Sequence, residues 1–99
     1  MRILVVDDEP TVQLLLRQTL EEAGHVVDVA ANGADALERL CTHAYDLLFT
    51  DVHMPYLSGI DLVRAVRQSR PRMPIVGMDS YPDRFAASDV GADAFALLA

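Results

Sequence analysis

Lysine is absent from this 99-residue sequence: all eight basic residues are arginines, at positions 2, 17, 39, 64, 67, 70, 72 and 84. A coding sequence rich in G and C accounts for that, yet it leaves the chain no ammonium side chain for any site. Positive charge is scarce as well. Fifteen acids bring the net charge to −7, which argues against a domain that grips nucleic acid or an anionic membrane by itself. Cys41 is the sole cysteine, so no disulfide framework forms within the chain, and a reducing cytoplasm is the expected compartment. No apolar run approaches the ~20 residues of a membrane span. The opening MRILVVDDE turns acidic too soon for a signal peptide. Repeats and low-complexity segments are also missing. What is present, 52% hydrophobic and 23% charged, is the composition of one small globular domain over residues 1–99. A chain this short buries only somewhat more than half of its unfolded surface, so every element counts.

Periodicity alternates along the chain. RILVVD at 2–7 is a continuous apolar run rich in β-branched residues, the pattern of a strand buried on both faces. From Glu9 and Pro10 to Ala23 the spacing is helical, with Val12, Leu15, Leu16, Thr19 and Leu20 recurring at three- and four-residue steps, and Gly24 closes the element. VVDVA at 26–30 is a second strand, Asn32-Gly33 a turn, and residues 34–40 a helix that turns Ala36, Leu37 and Leu40 inward. DLLFT at 46–50 is a third strand. A loop with Met54-Pro55 leads to a helix over 60–68, with Ile60, Val63, Ala65 and Val66 apolar. Pro71 and Pro74 frame a loop before a fourth strand at 74–78; residues 82–90 hold a short helix, and AFALL at 94–98 is a fifth strand. Strict alternation with apolar strands predicts an α/β fold, a parallel sheet covered by helices on both faces.

In such open sheets ligands bind beyond the carboxyl ends of the strands. The residues at those ends are Asp7 and Asp8, Asp51, and Asp79. A single Asp at a strand end is ordinarily a turn former or a helix cap. Several converging on one rim repel each other unless a hard cation sits between them. Mg²⁺, which takes few carboxylates and keeps several waters, suits such a site.

VVDDEP at 5–10 followed by DVHMPYLSG at 51–59 resembles the receiver domain of two-component response regulators. The second motif fits that family's Asp-x-x-Met-Pro-x-x-x-Gly pattern in full, and Gly91-Ala92-Asp93 before the last strand also matches. The resemblance covers the whole chain. It implies a flavodoxin-like doubly wound sheet of five parallel strands in the order 2-1-3-4-5, which puts Asp7, Asp8, Asp51 and Asp79 on one rim. It implies that Asp51 is the phosphoacceptor, taking a phosphoryl group from a sensor histidine kinase or a phosphotransfer protein. Asp8, supported by Asp7, would bind Mg²⁺ with Asp51 and the backbone carbonyl of His53. Pro55 and Gly59 would shape the loop after Asp51, and Met54 would pack. The family is a signalling module rather than an enzyme.

Two family roles are not filled. The Thr or Ser that ends strand 4 and bonds the phosphoryl group falls, aligned through Pro74-Ile75-Val76, on Asp79; Ser80 reaches the site only by a one-residue slip that would flip the strand's faces. The Lys that ends strand 5 falls on Leu98, and Arg84 is a distant substitute that reads as a solvated helix residue. A carboxylate within ~5 Å of a phosphoryl group costs on the order of 3 kcal/mol per unit charge at an effective dielectric near 20. The expectation is therefore retained Mg²⁺ binding with weakened or uncoupled phosphorylation. Phe95 matches the family's aromatic switch position and reads equally as a core ring. Receivers continue into a fifth helix, whereas this sequence stops at Ala99, one strand after a shortened fourth-helix segment. An uncovered apolar sheet face is an interface or a liability, so the expectation is a chain that continues, or a homodimer or exchanged element that covers it. His25, His43 and His53 lack ligand spacing, and Tyr45, Tyr56 and Tyr81 read as packing residues.

Three functions compete on these residues. The first is a receiver that accepts phosphate on Asp51; the second is a pseudo-receiver, a protein-interaction module read regardless of phosphorylation. The third is a Mg²⁺-dependent phosphohydrolase of haloacid-dehalogenase type. That class needs Asp-x-Asp after strand 1, whereas Asp7 and Asp8 are adjacent.

Overall fold

A computed structural model describes residues 1–51, 59–79 and 94–97 of the chain. Eight elements follow in the order β1 (Arg2–Val6), α1 (Pro10–Glu22), β2 (Val26–Ala30), α2 (Gly33–Thr42), β3 (Leu47–Asp51), α3 (Gly59–Ser69), β4 (Ile75–Asp79) and β5 (Ala94–Leu97). The strands form one parallel sheet ordered β2-β1-β3-β4-β5. The short helix expected over 82–90 lies outside the described residues.

The unbroken apolar run of β1 follows from its central place. Ile3 and Val5 face one side with Val27, where Leu16 and Leu20 of α1 and Phe49 of β3 pack on them. Leu4 and Val6 face the other, in a larger core with Leu48, Ile75, Ala36 and Leu40 of α2, and Leu62, Val63 and Val66 of α3. Among the described residues one helix lies on the first face and two on the second, and the strand alternation sorts the side chains between them.

Two members of the α1 pattern do not face the sheet. Leu15 is 62% exposed and Thr19 is exposed, its hydroxyl donating back to the Leu15 carbonyl at 2.8 Å. The reason is angular. Val12, Leu16 and Leu20 recur every four residues and make a narrow stripe, while Leu15 sits about 100° away from Leu16 around the helix. Leu14, 57% exposed, lies farther round still.

The helix ends explain where the elements stop. Asn32 caps α2, its Oδ1 accepting from the Asp35 N–H at 2.8 Å. Gly24, at φ +93°, ends the turn after α1 in a left-handed conformation that side chains disfavour. Arg70 Nη2 donates to the Leu40 carbonyl at 2.6 Å, tying the last turn of α2 to the segment after α3. At the amino edge of the sheet, Asp28 accepts from Arg2 Nη2 at 2.9 Å and from the Tyr45 hydroxyl at 2.6 Å, and the Arg2 guanidinium lies over the Tyr45 ring. Among the described residues no helix is long and apolar enough to cross a membrane.

Candidate metal centre

Where β1 ends, its backbone ladder continues for one residue: the Asp7 N–H donates to the Ala30 carbonyl at 3.1 Å. That bond draws Asp7 inward, and the residue is only 1% exposed. Its Oδ1 accepts from the Glu9 N–H at 2.8 Å, whereas its buried Oδ2 meets no hydrogen-bond donor. Burial pushes the Asp7 carboxyl up to about 6; the Glu9 N–H opposes this, and the charges of Asp51, Asp8 and Glu9 add to it. Asp8 beside it is exposed, and Asp51 closes β3 half-buried. One carboxylate oxygen from each of Asp7, Asp8 and Asp51 lies within 4.8 Å of the others.

These donors fit a hard divalent cation. A buried carboxylate oxygen without a donor is an anomaly that proteins rarely leave unexplained. A cation would answer it, and would also offset the repulsion among three acids of graded exposure. The set is oxygen-only, as Mg²⁺ prefers, and the exposed side of Asp8 leaves room for water.

Asp79 is the last residue of β4. The β3–β4 pairing runs from Leu48↔Ile75 to Asp51↔Met78 without an extra residue on either strand. Asp79 therefore follows directly on the residue level with Asp51, at the same carboxyl rim. Phe95 lies on β5 opposite Gly77, and Leu97 opposite Asp79. His53, Met54, Pro55, Tyr56, Ser80, Tyr81, Arg84, Gly91-Ala92-Asp93 and Leu98 lie outside the described residues. His25 and His43 do not join the acids: one ring nitrogen faces the Met1 amine at 3.2 Å and the other the Thr42 hydroxyl at 2.8 Å.

Two residues at the site were not legible from spacing. Thr50, fully buried, donates its hydroxyl to the Asp51 carbonyl at 3.0 Å. Gln13 in α1 donates its side-chain amide to the Asp7 carbonyl at 2.5 Å. The only hint was a polar residue on the inner part of a helix whose first turn abuts the acids.

The response regulator receiver domain model matches residues 3–97. The response regulator MprA of Mycobacterium ulcerans (strain Agy99) is 40% identical over 95 residues, which are 93% of this chain and 41% of that protein. The sensor protein EvgS of Escherichia coli (strain K12) is 43% identical over 76 residues, 77% of this chain and 6% of that one. The chain thus spans well under half the length of these relatives. Among solved structures, the response regulator TrrA of Thermotoga maritima in complex with Mg²⁺-BeF superposes with a TM-score of 0.89 at 33% identity, covering 99% of this chain and 86% of that one. TrrA in complex with the histidine kinase ThkA gives a TM-score of 0.89 at 35% identity, covering 99% and 85%.

Proposed function

This chain belongs to the response regulator receiver domain family, and from that premise we propose that it is a Mg²⁺-binding phosphoacceptor at Asp51 whose switch residues are degenerate. The observation that carries the reading is the meeting of the Asp7, Asp8 and Asp51 carboxylates around a buried oxygen that lacks a donor. Asp7, Asp8 and Asp51 would hold the ion, with the His53 carbonyl as a further ligand. Bound Mg²⁺ supplies positive charge that lets an anionic phosphoryl group approach an anionic carboxylate. An Asp51 carboxylate oxygen attacks the phosphorus of a kinase phosphohistidine; the P–N bond breaks, the imidazole leaves and an acyl phosphate forms on Asp51. Thr50 supports the acceptor from below by fixing its backbone carbonyl.

The relay after that step is the weak part. Asp79 occupies the position of the usual hydroxyl, and no lysine exists in the sequence to pair with the phosphoryl oxygens. That absence favours a second reading, an interaction module whose surface partners read without phosphorylation. The kinase partner of the first reading is drawn from the TrrA–ThkA complex and the family.

A small-molecule phosphodonor with Mg²⁺ tests both. Under the first reading, wild type labels sub-stoichiometrically or transiently, Asp51→Asn not at all, and Asp79→Thr more strongly than wild type. Ordinary stable, stoichiometric labelling of wild type would sink the degenerate-switch half. Complete absence of labelling in wild type and Asp79→Thr selects the interaction module.

A further inference from the structure

Helix α1 begins without a side-chain cap, since Glu9 makes no capping bond to its first turn. The junction between β1 and α1 is held instead by bonds that converge on Asp7. Its N–H reaches Ala30, its Oδ1 takes the Glu9 N–H, and its carbonyl takes the Gln13 amide. The third of these has a particular consequence. The carbonyl of Asp7 lies in the same rigid plane as the N–H and Cα of Asp8. Fixing the carbonyl fixes that plane and the place of the Asp8 Cα; the Glu9 N–H on Asp7 Oδ1 holds the next plane, and the two together set the direction in which the Asp8 side chain leaves the backbone.

We infer that Gln13 is a positioning residue for the metal centre, aiming the Asp8 carboxylate at Asp7 and Asp51 by holding the Asp7 carbonyl. The inference rests on the reading that these three acids bind Mg²⁺. Gln13 is neutral, so its influence is geometric and not Coulombic. That distinction is measurable, because Mg²⁺ demands near-ideal octahedral geometry whereas Ca²⁺ tolerates irregular sites. A misaimed Asp8 penalises Mg²⁺ more than Ca²⁺. A change of general stability, or of charge, weakens or strengthens both ions together.

Calorimetric titration of the full chain with MgCl₂ and with CaCl₂ tests this in wild type, Gln13→Met and Asp51→Asn. Gln13→Met keeps the length of the side chain and removes the donor. It is expected to weaken Mg²⁺ about tenfold, the lower end for outer-shell partners, while Ca²⁺ moves by less than about threefold. Gln13→Glu provides the same reading should the methionine variant fail to melt cooperatively: its charge strengthens both ions, but the Mg²⁺-to-Ca²⁺ affinity ratio still falls. An unchanged ratio in the folded variants overturns the role of Gln13 while leaving the metal site intact, provided wild type binds and Asp51→Asn does not. Wild type that binds neither ion overturns the metal reading itself, and this inference with it.

Discussion

Asp7 carries its charge where the surroundings disfavour it. Burial lifts its carboxyl to about 6 from an ordinary 3.8, so between those values the folded chain holds a proton that the unfolded chain has released. The sign follows: as pH rises from about 4 to about 6 the metal-free protein loses stability, and above that range the loss is constant. Two pH units correspond to about 3 kcal/mol, an order of magnitude for the whole effect. Asp7→Asn removes the buried charge and keeps an oxygen for the Glu9 N–H. It should stabilise the metal-free protein at pH 7.5 by about 1–3 kcal/mol, show no gain at pH 4, and abolish stabilisation by Mg²⁺. Urea unfolding at the two pH values, with and without Mg²⁺, measures all three; a variant no more stable than wild type at pH 7.5 contradicts the account. The acids themselves were readable because strand ends are where open parallel sheets bind. Gln13 and Thr50 were not, since their roles depend on the backbone carbonyls they find, and no residue spacing encodes those.

Among the elements, α2 shows how local chemistry sets a boundary. Asn32 satisfies the Asp35 N–H, and Asn32→Ala should cost about 1 kcal/mol, read as a lower urea midpoint with an unchanged slope. A midpoint within error of wild type would mean that the packing of Ala36 and Leu40 alone fixes the start of the helix. The strands were legible as short apolar runs, and their parallel arrangement followed from alternation with helices. Boundaries moved by a residue where the sequence had no marker. β3 begins at Leu47, one later than its pattern suggests, because Asp46 is engaged with Arg2: its N–H donates to the Arg2 carbonyl and its carboxylate accepts the Arg2 N–H, both at 2.8 Å. The recurring pattern of α1 is broader than its buried stripe. Leucine at every position of LLL, 14–16, hides which one meets the sheet, and only the four-residue stripe through Leu16 does.

Taken as a whole, the molecule is pinned at both edges of its sheet. At the amino edge, Tyr45 is held neutral, pushed up to about 12 by burial first and by its bond to Asp28 second. A phenol raised in this way contributes stability that is full below its unfolded value near 10 and is lost as pH climbs towards 12. Tyr45→Phe should therefore cost about 1 kcal/mol at neutral pH, through the lost hydrogen bond, and flatten the alkaline fall between pH 10 and 12. A fall as steep as in wild type would assign it to other groups. Since each helix returns antiparallel to the strands, Arg39 and Arg67 in the last turns of α2 and α3 stand towards this same edge, with Arg2. Asp7, Asp8 and Asp51 crowd the other. At the amino edge acids meet bases, as Asp28 meets Arg2, whereas at the carboxyl edge three acids meet one another. A cation arriving from about a Debye length away is drawn to that acidic rim, whereas a free anionic phosphodonor is repelled by it.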